Sequence, residues 1–316
     1  MLHRFFLGRE EDWSTLRVEP AHASDLAPIR ELLYRSRWSY SGLGGAIREA
    51  VHNDVTLVAR QGERIVGVAI VHTQGPRAAW LHAFGVDERA PLTAVGLLLL
   101  DALADQLAQQ GIVCLAYMDE HALAWLRRLL EAGRFVRETS VVGYETPLAT
   151  PPTMGNREVL VRPATTADIP AIAGCDQRAF GSLWAYGEQV FRSISGNVAC
   201  FLIAEKEEAL VGYVLATRHG ESHAHIVRLA VDPAWQGRKV GARLLAETFL
   251  HLRGIGLRTV SLNTQQENVR SQRLYRWFGF RPTGDCIGVW VRRLTAQWES
   301  ALPAPAGESK PPGGPQ

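Results

Sequence analysis

Hydrophobic and polar positions change period repeatedly along this chain, and the changes are clearest between residues 227 and 280. Residues 227–231 form an apolar run of strand length, closed by Asp232-Pro233. Val240, Leu244, Leu245, Phe249 and Leu252 then recur at helical spacing. The stretch between them, Gln236-Gly237-Arg238-Lys239-Val240-Gly241, is predicted to be a turn feeding a helix N-terminus. Unpaired backbone N–H groups and the positive end of the helix dipole make such a turn attractive to phosphate. An aliphatic strand over 259–263 and a short helix carrying Tyr275 complete this set. Upstream, short strands over 16–18 and 160–162 each precede a helix-start signal, Ser24-Asp25 and Thr166-Ala167-Asp168. Helices over 168–180 and 186–195 and a strand pair over 200–204 and 210–217 follow, the pair joined by a charged turn at 205–208.

The two openings are alike because the chain repeats. At a constant shift of 145 positions Val66-Gly67 falls on Val211-Gly212, Val86-Asp87 on Val231-Asp232 and Val95-Gly96 on Val240-Gly241. Leu99-Leu100 falls on Leu244-Leu245, Gly111 on Gly256, Leu129 on Leu274 and Phe135 on Phe280, while Asp25 meets Asp168 at a shift of 143. Repetition at this length predicts two similar domains in tandem, since a solenoid would show a shorter period. The division is 1–14 as an extension, 15–148 as the first domain, 149–157 as a linker marked by Pro151-Pro152, 158–294 as the second domain, and 295–316 as a polar, proline-rich tail without order. Polar groups do not repeat with the rest. His225 falls on Trp80, Gln236 on Pro91, Asn268 on Leu123 and Tyr275 on Leu130, so the first domain is predicted to be a degenerate copy kept for packing or for shaping an acceptor site.

The second half resembles the GNAT superfamily of acyl-CoA-dependent N-acyltransferases. The family's pyrophosphate loop reads Gln/Arg-x-x-Gly-x-Gly/Ala, and here Gln236, Lys239 and Gly241 stand at those places, with lysine for the first glycine. Asn268, Leu274-Tyr275 and Gly279-Phe280 follow at the family's distances. The resemblance implies an α/β (α+β) protein of two tandem domains, each a central, mostly antiparallel mixed and twisted sheet flanked by helices. It also implies an N-acetyltransferase that uses acetyl-CoA as co-substrate and a primary amine, on a small molecule or a peptide, as acceptor. The tandem arrangement is similar to that of mycothiol synthase, which adds a thiol-biosynthesis amine as one acceptor. A non-catalytic acyl-CoA-binding or interaction protein, with Lys239 marking a weakened loop, is the rival class.

Direct acyl transfer requires the acyl donor to be held, the amine to lose a proton and the departing thiolate to be stabilised. Holding is assigned to Gln236, Gly237, Arg238, Lys239, Val240, Gly241 and Ala242. Lys239 replaces glycine on the condition that its φ stays negative. The resemblance gives Leu229, Ala230, Val231, Asn268 and Ser271 to cofactor binding, with Asn268 touching the pantetheine arm and a main-chain N–H near Leu229 meeting the oxyanion. Asn268 and Tyr275, seven positions apart on one helix, sit roughly 10 Å apart along its axis. In the family this tyrosine is often the acid for the thiolate, and a phenol stays protonated at neutral pH; a core aromatic beside Leu274 and Phe278 is the alternative. His225 stands where some members carry a glutamate base, and a simply satisfied histidine is equally open. His219, His223 and His225 alternate on one strand face, but no partner at zinc spacing accompanies them, so no metal is assigned. Phe180, Trp184, Tyr186 and Asp285 are candidate acceptor-lining residues.

Composition narrows the remaining classes. Net charge of +2 gives no field that implies nucleic acid or membrane binding, and 47% hydrophobic with 21% charged residues fits a globular protein. No stretch is expected to reach transmembrane length. Residues 1–13 do not form a signal peptide, and Cys114, Cys175, Cys200 and Cys286 lack metal or redox spacing, which points to reduced thiols and a cytoplasmic protein. The oligomeric state is left open.

Overall fold

The computed structural model of the chain describes residues 13–194 and 197–295, so the expected extension and tail lie almost wholly outside the described residues. The first half runs through β1 (Arg17–Pro20), α1 (Leu26–Arg35), β2 (Trp38–Ser41), α2 (Ile47–Asn53), β3 (Val55–Gln61), β4 (Arg64–Thr73), β5 (Ala78–Val86), α3 (Leu92–Gln109), β6 (Cys114–Met118), α4 (Ala124–Ala132) and β7 (Val136–Pro147). The second runs through β8 (Leu160–Pro163), α5 (Ile169–Trp184), α6 (Glu188–Ser193), β9 (Val198–Lys206), β10 (Ala209–His219), β11 (His223–Val231), α7 (Val240–Gly254), β12 (Thr259–Gln265), α8 (Val269–Trp277) and β13 (Arg281–Arg293).

The repeat survives at the level of elements. β4 and β10, β5 and β11, β6 and β12, α4 and α8, and β7 and β13 begin 145 positions apart, whereas β1 and β8, and α1 and α5, begin 143 apart. β3 and β9 begin 143 apart and end 145 apart, so the two-residue insertion sits in this strand. One ion network is conserved in geometry with its charges exchanged. Arg60 of β3 binds Glu19 at 2.5 Å and Asp25 at 2.7 Å, while Arg162 of β8 binds Asp168 at 2.9 Å and Glu205 of β9 at 2.6 Å. The arginine has moved across the strand pair and the glutamate has moved the other way. Arg162 holds the Asp168 carboxyl well below the usual carboxylate range. Asp25 and Asp168 also accept the backbone N–H of His22 and Thr165, closing a capping box at each helix entry.

Packing divides the chain differently from the linear repeat. One compact unit takes residues up to His72 with Trp80–Gln110 and Leu123–Phe135; the other takes Thr73–Ala79, Gly111–Ala122 and everything from Val136. The first unit orders its strands β1-β3-β4-β5, with β2 paired to β5. Ile29, Leu33, Ile47, Val58, Val68 and Ile70 form a buried cluster there. α3 is 18 residues long with mean hydropathy 1.3, so it does reach the length and hydropathy of a membrane span, contrary to the sequence expectation. Its Val95, Leu99, Leu100, Leu103 and Leu107 are fully buried, which gives the apolar stretch a packing role inside this unit.

The second unit holds the order β6-β13-β7-β12-β11-β10-β9-β8, antiparallel throughout except for the parallel pair β11 and β12. Its strands come from both halves of the sequence. β13 lies between β6 and β7, and β7 lies between β13 and β12, so the terminal strands of the two repeats are interleaved. Tyr144 of β7 joins the core of Val214, Ile226, Leu244, Phe249, Leu262, Tyr275 and Phe280. α7 approaches β10 closely at Gly212, where a Cβ would lie 2.7 Å from the Ala230 carbonyl oxygen and 3.1 Å from Leu244 Cδ1.

A cut at Pro151-Pro152 therefore removes β6 and β7 from this sheet and leaves β12 and β13 with bare edges. Residues 152–316 expressed alone are expected to aggregate or to lose cooperative unfolding, and co-refolding with residues 1–151 is expected to restore it. Circular dichroism with denaturant titration checks both outcomes.

Candidate active site

β11 sets the geometry of the site. It pairs with β12 over four residues only, from His223↔Thr259 to Ile226↔Leu262, and the two strands then part. On its other edge the register with β10 jumps from Leu215↔Arg228 to Ala216↔Ile226, so Val227 is a β-bulge. The bulge changes which residues share a face. His223 and His225 precede it on the same side as Arg228 and Ala230, while Leu229 and Val231 pack against the α7 core. Beyond Ile226 the main-chain groups of Leu229 and Val231, which point away from β10, have no strand partner on the β12 side, and the chain runs directly into the loop before α7.

That loop has the shape of an anion cradle. Asp232 caps a single turn at Pro233–Trp235 by accepting the Ala234 N–H at 3.0 Å. Gly237 has φ +83°, and Lys239, the last residue before α7, has φ +59° and ψ +20°. The condition placed on Lys239 is thus overturned: it keeps the left-handed conformation of the glycine it replaces, which costs an L-residue about 1–2 kcal/mol. What holds it there is the segment before β8. Asn156 Nδ2 donates to the Arg238 carbonyl at 2.9 Å and Asn156 N–H to the Lys239 carbonyl at 3.2 Å. A Cβ at Gly155, itself at φ +64°, would overlap the Arg243 backbone. The Asn156 bonds tie back the carbonyls of Arg238 and Lys239. Gln236 is braced as well, donating to the Val231 carbonyl at 3.2 Å and accepting from Arg270 at 2.8 Å. Gly241 lies on the first turn of α7, where a Cβ would meet only ordinary contacts with Leu274 and Val231.

The first half has lost this loop for a visible reason. α3 begins at Leu92, directly after Pro91, so the positions matching Gly237 to Lys239 are already helical. Pro91 fixes its own φ near the helical value and starts the helix early.

α8 presents Asn268, Ser271 and Tyr275. Asn268 is its N-cap and accepts the Ser271 N–H at 3.1 Å, so its Oδ1 is occupied and only its amide NH2 is left for a ligand. Tyr275 is buried, with its ring 5.8 Å from Phe280 and 6.3 Å from Tyr144, and with Ser271 as hydrogen-bond neighbour of its hydroxyl. Burial pushes its phenol up to about 12. It shares a packed cluster with Leu229 and Val231, the residues of β11 left without a partner.

His225 is half-buried and shares a hydrogen bond of 2.8 Å with Ser261 Oγ through Nδ1. Burial, then neighbouring His219 and His223, lower its pKa from 6.5 to about 4. His219 lies with ring centroids 6.0 Å from His225 and 6.4 Å from His223, but no group of three or more metal-ligating side chains among the described residues has the arrangement to hold an ion.

The aromatic residues assigned to the acceptor pocket are occupied by a residue that sequence reasoning passed over. Arg228 is buried, and its guanidinium carbon lies 4.2 Å from the Phe180 ring and 3.7 Å from the Tyr186 ring. Its Nη2 donates to Asp176 Oδ2 at 2.9 Å and to the Trp184 carbonyl. Asp176 is fully buried and also accepts from the Tyr213 hydroxyl and, at 2.6 Å, from the Tyr186 N–H. Burial opposes the charge on Arg228, and Asp176 with the phenols beside it more than restores it, so its pKa lies above the ordinary arginine value. α5 is broken at Gly181, which has φ +67°, between the Phe180 ring and the Trp184 carbonyl that meet this charge. A signal existed: an arginine inside an apolar strand and an aspartate on the apolar stripe of a helix are each costly to bury alone. Asp285 stays exposed in a bulge of β13, bonded by Thr283 Oγ1 at 2.6 Å.

Residues 175–280 match the model of the Acetyltransferase (GNAT) family. A mycothiol acetyltransferase of Parafrankia sp. (strain EAN1pec) is 28% identical over 71% of this chain and 79% of its own length. An uncharacterised protein of Mycobacterium leprae (strain TN) is 32% identical over 44% of this chain, and the match spans only 39% of that protein. A tandem GNAT protein from the clavulanic acid biosynthesis pathway shares the fold, with TM-score 0.53 at 14% identity over 89% of this chain and 99% of that one. Residues 175–280 thus carry a segment like that of the GNAT acetyltransferase family, and the chain has the fold of a tandem GNAT protein.

Lys239→Gly is expected to stabilise the protein by up to about 1 kcal/mol, because glycine takes the left-handed conformation without the Cβ clash. Asn156→Ala is expected to lower stability and to lessen the gain from glycine at 239; denaturant titration of the single and double variants reads both. His225 gives a pH test with a fixed sign. Its folded pKa lies below its unfolded value, so the unfolded chain binds the proton first and stability is lost as pH falls from about 6.5 towards about 4. The loss is on the order of 3 kcal/mol, and His225→Gln is expected to flatten that part of the stability profile.

Proposed function

We propose that the second half of the chain binds acetyl-CoA along β11 and transfers its acetyl group directly to a primary amine. The parting of β11 from β12 after Ile226–Leu262 carries this reading, because it leaves the main-chain groups of Leu229 and the Val231 N–H without a strand partner, in line with the turn before α7. Gln236 to Ala242 would hold the pyrophosphate with Gly237, Arg238, Lys239, Val240 and Gly241 supplying amides, and α7 adds its positive N-terminal end. Leu229 and the Val231 N–H would bond the pantetheine arm through main-chain groups, with Ala230 between them on the strand and the Asn268 amide and Ser271 on the opposite wall. When bound, acetyl-CoA supplies an activated thioester carbonyl.

The side chains then divide the proton work. His225 is neutral throughout the physiological range and holds a lone pair to accept the amine proton. The Leu229 N–H faces the developing oxyanion. Tyr275 stays protonated and donates a hydrogen bond to the departing thiolate. Full transfer from a phenol near 12 to a thiolate of ordinary pKa near 8.5 would run uphill by about 5 kcal/mol, so stabilisation by the hydrogen bond is the larger part of its role. The likeness to a mycothiol acetyltransferase supports an amine on a small molecule as acceptor, and a cytoplasmic site of action goes with that chemistry.

A second reading, an acyl-CoA-binding protein without turnover, is favoured by two observations. Lys239 strains the loop, and the Tyr275 hydroxyl is turned to Ser271 in the core.

Calorimetry with acetyl-CoA, followed by thiol release with pooled primary amines, peptides and aminoglycosides, separates the readings. One acetyl-CoA per chain is expected, since only the second half keeps the loop. Tyr275→Phe is expected to lower the single-turnover rate by roughly 10²-fold or more with little change in affinity. Gly241→Val should weaken binding, because a β-branched side chain crowds the first turn of α7, while the protein stays folded, since a Cβ there meets only ordinary contacts with Leu274 and Val231. Binding with no acceptor selects the second reading, and absence of binding removes both.

A further inference from the structure

Three strands bring an unassigned chain of hydrogen bonds to His225. In register across the sheet, His225 of β11 faces Ser261 of β12, and Ser261 faces Glu145 of β7. Ser261 Oγ lies 2.8 Å from His225 Nδ1 and 2.9 Å from His223 Nε2. His223 Nδ1 in turn lies 2.8 Å from Thr259 Oγ1 and 4.0 Å from Glu145 Oε1. A serine hydroxyl carries one proton, so between two imidazoles it accepts from one and donates to the other. Of the two rings His225 is the nearer along β11 to the point where β11 and β12 part, and its Nε2 makes no hydrogen bond among the described residues. Glu145 is about half exposed, at 49%, and marks the solvent end. The other charged or titratable groups around the chain are His219 of β10 and Arg281 of β13, the register partner of Glu145.

We propose that Ser261 and His223 are positioning residues that fix the tautomer of His225 and carry the acceptor's proton away from the site. The direction follows from the ends of the chain. With Nδ1–H of His225 donated to Ser261, the lone pair sits on Nε2, where an ammonium proton is taken. As that N–H bond forms, His225 Nδ1 gives its proton to Ser261 Oγ, Ser261 gives its own to His223 Nε2, and His223 releases its Nδ1 proton towards Thr259, Glu145 and water. One proton enters and one leaves. No bond other than N–H and O–H changes along the chain, and the rings regain their starting tautomers after product release, when His225 gives its Nε2 proton to water in the open cleft as a proton re-enters from solvent at His223. The burial that makes His225 a poor place to store a proton suits a residue that passes it on. This inference rests on the acetyl-transfer reading, which supplies the proton to be moved.

The test uses the full chain labelled with ¹⁵N in its imidazoles. Nuclear magnetic resonance of the free protein is expected to show both His225 and His223 protonated at Nδ1 and bare at Nε2. In Ser261→Ala the His225 ring is expected to lose its single tautomer, and Ser261→Thr to restore it. A wild-type His225 with its proton on Nε2 overturns the chain. The second measurement is single-turnover acetyl transfer from acetyl-CoA to the pooled primary amines. Ser261→Ala is expected to slow transfer roughly 10²-fold with unchanged affinity for acetyl-CoA, and Ser261→Thr to recover most of the rate. If wild type transfers and Ser261→Ala keeps its rate, the proton chain is overturned and the acetyl-transfer reading stands. If wild type binds acetyl-CoA and acetylates no amine, that reading fails and the chain is overturned with it.

Discussion

The separation of β11 from β12 is the constraint on which the rest of this molecule depends. A parallel pair normally continues until one strand ends, because each backbone group left unpaired costs about 1–3 kcal/mol when buried. Here pairing stops after four residues while both strands go on, β11 to Val231 and β12 to Gln265. The bulge at Val227 lies where β11 leaves, and β7 pairs with the opposite edge of β12 over its whole length, so β12 stays anchored while its edge towards β11 is open. The gap persists because the neighbours on both sides are fully paired.

Around the gap, charge is buried at a cost that must be met locally. Asp176 and Arg228 pin α5 to β11 just past the bulge, and removing either alone would leave an uncompensated buried charge, worth about 3–5 kcal/mol. Phe180 and Tyr186 sandwich the guanidinium, so the link between α5 and α6 is fixed by the same side chain. Gly187 N–H donates to the Gln74 carbonyl at 2.7 Å, and a Cβ on Gly75 would overlap the Ala185 carbonyl. The turn at 74–75, from the first half of the sequence, thus presses on the link that carries the aromatic residues. This gives the degenerate half a physical reason to persist: β6, β7 and this turn are structural parts of the unit that holds the site.

Loss of the loop in the first half and strain of the loop in the second are two outcomes of one backbone requirement. The turn before α7 needs left-handed residues at 237 and 239. Where proline starts the helix early, the requirement disappears and so does the cradle; where lysine takes the glycine place, Asn156 and the tight turn at Gly155 hold it. Duplication preserved the sheet registers, the capping boxes and an ion network with exchanged charges, since these depend on local geometry.

The sequence by itself determined the periodic elements, the tandem repeat with its shift of 145, the turn at 236–241 before α7 and the positions of Asn268 and Tyr275 at α8, because each is written in local spacing. β4, β5, β6, α4 and β7 all recur at that shift, and α7 begins at Val240 as its apolar spacing requires. Only the tertiary structure decided the interleaving of β7 and β13, the burial of Tyr275 against Tyr144, the φ of Lys239, the pairing of Asp176 with Arg228 and the chain from His225 through Ser261 to His223. The reason is one of range. Periodicity reports which face of an element is apolar, but the partner that satisfies a buried charge, a strained φ or a bare strand edge is chosen by three-dimensional neighbours, here 52 positions apart for Arg228 and Asp176 and 36 for His225 and Ser261.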